Sequence, residues 1–164
     1  MSVSVTTAFP RTTASTRPIE TGSHRVGVHV LARWDSRFLF VRPVGGGGWV
    51  LPADALGPTE PASRAACRIL REQVGLDVVA ARMWPIGTQH NWTAAGSRID
   101  LYFTPGVFHG IPVIMSRVCY EDLRWFDQDQ LPQDVAADVR AAVEAFRKPE
   151  SYGETGWPYQ GRPV

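Results

Sequence analysis

One helix, predicted over residues 60–75, divides the strand patterns of this chain into two groups. Its sequence, EPASRAACRILREQVG, is rich in alanine, and Thr59 precedes it as a candidate N-cap. Gly75 follows as the residue type that commonly ends a helix. Apolar residues recur at spacings of three and four, which places them largely on one side: Ala62, Ala65, Ala66, Ile69 and Leu70. This side has to pack against another layer of structure, so the helix predicts a layered domain.

Strand patterns lie on both sides of the helix. Residues 24–33 (HRVGVHVLAR) alternate in character, residues 37–44 (RFLFVRPV) are largely apolar, and the short WDS between them fits a hairpin turn. Beyond Gly75, four further segments resemble strands: residues 76–92, 97–108, 111–115 and 120–127. A final helical pattern covers residues 131–148. The order predicts an α+β fold, an α/β/α sandwich with a mixed β-sheet between helices.

The two ends of the chain lack these patterns. Residues 1–23 are rich in Ser, Thr and Pro and are predicted to form a flexible N-terminal arm. Residues 24–150 are predicted to form one domain. Residues 151–164 contain several Gly and Pro and are predicted to be an irregular C-terminal tail.

The composition excludes several classes of protein. The 164 residues carry a formal net charge of +1, so no global charge attracts a nucleic acid polymer or an anionic membrane. No apolar run approaches the roughly 18 residues of a membrane span. The two cysteines, Cys67 and Cys119, form no disulfide framework and fit a reducing compartment. A cytoplasmic protein with a small-molecule partner is expected.

The helix and the loop before it carry a spaced set of functional residue types. Asp54 follows the apolar WVLPA segment, Glu60 opens the helix, and Arg68 and Glu72 lie further along it. This arrangement resembles the Nudix hydrolase superfamily, whose sequence box reads G-x5-E-x7-R-E-U-x-E-E-x-G-U, where U is a bulky aliphatic residue. The matching positions are Glu60, Arg68, Leu70, Glu72, Gly75 and Leu76. With the strands and helices around the box, the resemblance covers residues 24–147.

Three positions depart from the box. Asp54 replaces its glycine, and Ile69 and Gln73 replace two of its glutamates. In the family these glutamates lie on one helix face and bind a divalent metal. Because isoleucine has no ligand atom and glutamine offers one neutral carbonyl oxygen, the metal site is expected to be weakened. Restoring both glutamates is predicted to raise the affinity for divalent metal.

The resemblance also implies roles for individual residues. Glu72, Arg68 and Glu60 are the catalytic candidates, although Glu60 and Arg68 occupy positions that in the family often pair to brace the loop. Glu72, Gln73 and Asp54 are the metal-ligand candidates for Mg²⁺ or Mn²⁺, held weakly, with a metal-free site as the alternative. Glu121 and Asp122 are acids outside the helix that could replace the missing glutamates.

Six further residues are predicted to bind substrate. Arg42 lies near the end of a strand and could meet a phosphate. The segment QHNW combines a histidine, amides and an indole before a turn, and Arg98 and Tyr102 share one face of a strand. The complete set is Arg42, Trp49, His90, Trp92, Arg98 and Tyr102.

These residues lead to three hypotheses of function. The first is a divergent Nudix-family hydrolase that acts on a nucleoside-diphosphate-linked or other phosphorylated small molecule, with weakened or altered metal dependence. The second is a non-hydrolytic ligand-binding or regulatory module, and the third is an enzyme repurposed for different chemistry in a specialised pathway. A homodimer is a further expectation by analogy with the family. Fold alone does not choose among these functions.

Overall fold

Two β-sheets and two helices form the fold of this computed structural model, which describes residues 24–147 and 151–158. The predicted arm over residues 1–23 lies outside the described residues. The strands are β1 (Arg25–Val30), β2 (Arg33–Trp34), β3 (Arg37–Pro43), β4 (Ala53–Ala55), β5 (Met83–Thr93), β6 (Gly96–Pro105), β7 (Tyr120–Asp127) and β8 (Tyr152–Thr155). The helices are α1 (Ala62–Val74) and α2 (Ala137–Phe146), and a single 3-10 turn covers Ala80–Arg82.

The larger sheet has five strands in the order β4-β1-β6-β5-β8. Strands β5 and β6 form an antiparallel hairpin, whereas β1 runs parallel to β6 and β8 runs parallel to β5. The smaller sheet has the order β2-β3-β7 and is antiparallel. The larger sheet is therefore mixed, as predicted, because it combines the parallel pair of β1 and β6 with the antiparallel pair of β5 and β6.

Each helix covers its own hydrophobic core. The buried side of α1 packs with alternate residues of β1 and β6, and the core there includes Val28, Val30, Ile69, Leu70 and Phe103. The buried side of α2 packs against a second core that includes Phe38, Phe40, Leu51, Tyr102 and Val139. This arrangement confirms the α+β fold with a mixed sheet between helices. No helix in the described part of the chain is long and apolar enough to cross a membrane.

Several elements differ from the sequence-based expectation. Helix α1 begins after Pro61 without a side-chain cap, so the prediction of Thr59 as its N-cap is wrong, whereas Gly75 does end it at φ 70°. Residues 111–115 form no strand. Residues 151–158 are not wholly irregular, because Tyr152–Thr155 forms β8 along β5. Here tertiary pairing with an open sheet edge outweighs the local effect of glycine.

Candidate active site

Arg68 is the centre of the site that the sequence predicted. Its guanidinium donates to both carboxylate oxygens of Glu60, at 3.1 Å from Nε to Oε2 and 2.6 Å from Nη2 to Oε1. It also donates from Nη1 to Oδ2 of Asp54 at 2.8 Å. The hydrogen bond from Arg68 is the main reason that the pKa of Glu60 lies below its ordinary value. This planar, multiply bonded guanidinium ties the loop before α1 to the helix itself.

Asp54, predicted as a metal ligand, is already engaged by the protein. Its Oδ2 accepts from Arg68, and its Oδ1 accepts from the backbone N–H of Ala55 at 2.8 Å. In the pattern of the family this position is a glycine. The carboxylate that replaces it therefore adds a second acid partner for Arg68, beside Glu60.

Glu72 and Gln73 have different surroundings, although they are adjacent on α1. The Glu72 side chain is 63% exposed, and its Oε2 lies 3.7 Å from Nη1 of Arg68. Gln73 donates from Nε2 to the carbonyl oxygen of Ala53 at 2.9 Å, and its Oε1 accepts from the Tyr120 hydroxyl at 3.0 Å. Gln73 is thus held by two protein partners, and its role as a metal ligand would require its Oε1 to bind a metal besides the Tyr120 hydroxyl.

These residues do not fit a tightly held divalent cation. Ile69 has an exposed fraction of 0% and belongs to the core under α1. Of the two box glutamates that remain near Arg68, Glu60 braces the loop and Glu72 is largely exposed. Among residues 24–147 and 151–158, no group of three or more His, Cys, Asp or Glu side chains is arranged to hold a metal ion. Asp122, proposed above as a replacement acid, accepts instead from Arg124 at 2.9 Å.

We predict that Gln73→Glu lowers the free energy of unfolding by about 1–3 kcal/mol at pH 7. A carboxylate cannot donate to the carbonyl oxygen of Ala53, which loses its 2.9 Å partner and meets a negative charge instead. Urea denaturation measures the change, and Glu72→Gln at the exposed neighbouring position is the matched control, expected within about 0.5 kcal/mol of the unaltered chain. An unchanged stability of Gln73→Glu, with new Mg²⁺ binding by calorimetry, would contradict this account.

The residues predicted to bind substrate do not form one site. Trp49 is buried, with Arg42 over its ring at 4.7 Å, and Arg42 is also paired with Asp134. Tyr102 is buried under α2 and donates to Gln89 at 3.3 Å. Neither aromatic ring is open to a ligand in this structure, so their burial does not support the prediction that Trp49 and Tyr102 contact substrate.

The remaining candidates lie further along the sheet. His90 is hydrogen-bonded to Ser97 at 2.8 Å. Trp92 is 45% exposed and lies 5.2 Å from the ring of Trp157. Trp92 and Arg98 line a common cleft of about 400 Å³ beside the start of α2. Of the predicted set, these two residues are the ones brought to a common open surface.

A second cleft contains residues that the sequence did not single out. It has a volume of about 270 Å³, adjoins the loop that Arg68 braces, and is lined by Arg25, Val26, Gly27, His29, Ala53, Asp54, Ala55, Arg98 and Asp100. Asp100 is fully buried at the base of this polar group and accepts hydrogen bonds from His29, Asn91 and Arg98.

One signal in the sequence could have identified this group. Asp100 is an isolated acid in the otherwise apolar segment IDLYF, and a buried acid needs polar partners. Its partner His29 lies on β1, which pairs with β6 so that Gly27 is beside Asp100 and His29 beside Tyr102. The pairing of two strands so distant in the chain is not visible in the local pattern.

Comparison with known proteins agrees with this fold. The sequence matches the model of the NUDIX domain over residues 23–146. A MutT NUDIX hydrolase from Burkholderia pseudomallei superposes with a TM-score of 0.69 and 27% identity, covering 76% of this chain and 98% of that chain. A NUDIX hydrolase from Nitrosomonas europaea gives a TM-score of 0.66 at 21% identity, covering 79% of this chain and 93% of the other.

A third similar structure contains a ligand. It is the NUDIX domain of Shewanella oneidensis NrtR complexed with ADP ribose, with a TM-score of 0.62 and 19% identity, covering 82% of this chain and 93% of that chain. No curated protein matches the sequence. Because the domain match covers most of the chain and the sheets, helices and Glu60–Arg68 pair occur in the expected places, the chain belongs to the NUDIX family.

Proposed function

We propose that the chain is a divergent Nudix-family hydrolase of a nucleoside-diphosphate-linked or other phosphorylated small molecule, with weakened or altered metal dependence. The observation that carries this proposal is the open cleft beside a loop still braced by Arg68 and Glu60. A hydrolase needs such a loop held rigidly next to its substrate. The 27% identity to a MutT NUDIX hydrolase over almost all of that chain supports the same reaction class.

The class of substrate follows from chemistry and from one neighbour. The Shewanella domain is complexed with ADP ribose, in which a nucleoside diphosphate carries a further group. In the present chain, Arg25 and Arg98 lie side by side on β1 and β6 at the cleft, where guanidinium groups favour phosphate oxygens. We infer a small phosphorylated ligand for this cleft. We also propose a cytoplasmic protein, because Cys67 and Cys119 are free, as in a reducing compartment.

Altered metal dependence rests on the donor atoms. Mg²⁺ is usually held by one or two carboxylates together with substrate phosphates. Glu72 is exposed and offers one carboxylate. Asp54 is already hydrogen-bonded to Arg68, and Gln73 is hydrogen-bonded to Ala53 and Tyr120. Metal is therefore expected to associate weakly and chiefly through a bound phosphorylated ligand.

The same donor set favours a second candidate function, a ligand-binding module that does not hydrolyse. In that case the arginines of the cleft hold a phosphorylated ligand, and the loss of acids from α1 ends turnover. The third candidate, an enzyme with different chemistry on the same fold, has no separate observation in its favour.

Phosphate release from nucleotide sugars, dinucleotides and nucleoside triphosphates, measured with Mg²⁺, Mn²⁺ or a chelator, tests the proposal. We expect turnover of at least one diphosphate-linked nucleotide, with a chelator-sensitive part that Glu72→Gln removes. Glu144→Gln, an exposed acid on α2, is the matched control and is expected to leave turnover unchanged. Calorimetric binding of a non-hydrolysable nucleotide without turnover of any compound would favour the binding module instead.

A further inference from the structure

We propose that His29, oriented by the buried carboxylate of Asp100, is the general base of the cleft and accepts a proton from the attacking water. This inference rests on the proposed hydrolase function. It assigns the base to strand β1, where no box residue lies, in a chain whose helix has lost two of its acids. Geometry, burial and an unoccupied ring nitrogen support it in turn.

Asp100 determines which nitrogen of His29 carries the proton. The Nε2 atom of His29 lies 3.0 Å from Oδ1 of Asp100, while Oδ2 accepts from Asn91 at 2.7 Å and from Arg98 at 2.8 Å. Burial acts to raise the pKa of Asp100, but the hydrogen bonds and charges of these neighbours hold it below its ordinary value. Asp100 is thus an anionic acceptor, and the proton of neutral His29 belongs on Nε2.

The other ring nitrogen of His29 is left as a base open to the cleft. Nδ1 has no hydrogen-bond partner among the described residues. Within that part of the chain, the one unpaired side-chain nitrogen or oxygen that is fully buried is Nε of Arg42. Nδ1 of His29 is therefore reachable by solvent, and His29 lines the cleft. An unprotonated, accessible nitrogen is the requirement for a proton acceptor.

The histidine ring is held in place from two sides. Its plane stacks on Tyr102, with ring centroids 4.8 Å apart and an interplanar angle of 21°. Gly27 leaves room for the pair, because a Cβ there would lie 2.5 Å from Oδ1 of Asp100 and 3.2 Å from Nε2 of His29. The histidine side chain is 13% exposed, so little freedom remains for the ring to turn away.

The charges that face His29 suit an anionic ligand. From β1 itself comes Arg25, which has no ion pair among the described residues. Strand β6 supplies Asp100 and Arg98, which pair with one another, and Arg98 also pairs with Asp138 of α2. The β4 strand supplies Asp54, paired with Arg68. Arg25 and Arg98 lie side by side at this cleft, and their two guanidinium groups can attract a phosphate group towards His29.

The proposed step balances in atoms and charge. Nδ1 of His29 takes one proton from a water molecule as the water oxygen forms a bond to phosphorus. The bridging P–O bond breaks, and its electron pair leaves with the departing phosphate. The proton on His29 is then released to solvent, which returns the ring to its starting state.

The first test reads the ring nitrogens of His29 directly. Nitrogen-15 NMR of the full chain is expected to show the Nε2–H form in the unaltered protein. In Asp100→Asn the side-chain amide can donate to Nε2, so the proton is expected to move to Nδ1. An Nδ1–H form in the unaltered chain would overturn the proposal, because a protonated Nδ1 cannot accept a proton.

The second test uses whichever nucleotide of the panel the chain hydrolyses. His29→Gln and Asp100→Asn are expected to lower kcat by about 10²–10⁴-fold. Gly27→Ala is expected to lower kcat in the same direction without altering either partner. His109→Gln, on an exposed loop, is the matched control and is expected to retain kcat.

The outcomes separate this inference from the proposed function. Turnover that survives His29→Gln unchanged overturns the role of His29 and leaves the hydrolase intact. No turnover of any compound by the unaltered chain overturns the hydrolase and the base together. Circular dichroism of each variant establishes that it is folded, and Gly27→Ala supplies the decisive comparison should the other two unfold.

Discussion

Ile69→Glu is expected to lower the free energy of unfolding by roughly 3–5 kcal/mol at pH 7, which is the cost of an uncompensated charge in a protein interior. Ile69 has an exposed fraction of 0% and packs in the core between α1 and the sheet. At this position the family pattern has a glutamate, so the substitution restores the box but places a carboxylate among apolar side chains. The earlier expectation that restoring both glutamates raises metal affinity therefore applies only where the fold tolerates the change.

The pH dependence distinguishes a buried charge from a simple packing defect. Burial raises the folded-state pKa of the new Glu side chain above its unfolded value of about 4.3. The part of the cost that comes from the charge is therefore small below pH 4 and grows as the pH rises towards the folded-state pKa. Urea denaturation at pH 4 and pH 7 measures this, and Ile69→Val is the matched control, with a pH-independent loss of about 0.5–1.5 kcal/mol. A stable Ile69→Glu protein that binds Mg²⁺ tightly would show that α1 has kept an open metal face.

Asp100→Ala is expected to be comparably damaging, with a loss of roughly 3–5 kcal/mol in the free energy of unfolding. The carboxylate is fully buried and accepts from His29, Asn91 and Arg98, and its removal leaves these donors without their shared acceptor. Asp138→Ala is the matched control, because Asp138 contacts the same Arg98 but its side chain is 39% exposed. That control is expected to lose at most about 1 kcal/mol.

The acid side of the stability curve provides a second measurement on Asp100. Its folded-state pKa lies below its unfolded value, so the ionised group stabilises the fold above an unfolded pKa of about 3.9. This contribution disappears as the pH falls through the folded-state pKa. The unaltered chain should lose stability more steeply than Asp100→Ala between pH 4 and pH 2, and parallel curves would count against an ionised Asp100.

The elements that could be predicted are those with a strong local period. The helical repeat of residues 60–75 and the left-handed Gly75 specify α1 without help from distant residues. Residues 111–115 look equally like a strand, because IPVIM is apolar and β-branched. In the structure, the N–H groups of Val113 and Met115 donate instead to the carbonyl oxygens of Val74 and Gln73 at the end of α1. The unpaired carbonyl groups of the helix end therefore take the hydrogen bonds that a neighbouring strand would have used.

The contacts of the candidate site also divide into local ones, which the sequence predicts, and long-range ones, which it does not. The eight-residue spacing of Glu60 and Arg68 is local, and the sequence predicts their pairing. The addition of Asp54 to Arg68 depends on how the loop turns back, and the contact of His29 with Asp100 joins residues 71 positions apart. The burial of Trp49 and Tyr102 depends on where α2 packs. Contacts of this range are set by strand order and helix packing, which a local pattern does not contain.

Strand β8 has a consequence for the lateral edge of the larger sheet. Its four residues pair with Thr88–Asn91 of β5, while Trp157 donates to the carbonyl oxygen of His90 at 2.8 Å. The family match ends at residue 146, before this segment. The part of the chain that resembles its relatives would by itself present an unpaired edge of β5, to which strands of other molecules could add. By pairing with β5, strand β8 covers this edge and leaves fewer backbone groups open to strands of other molecules.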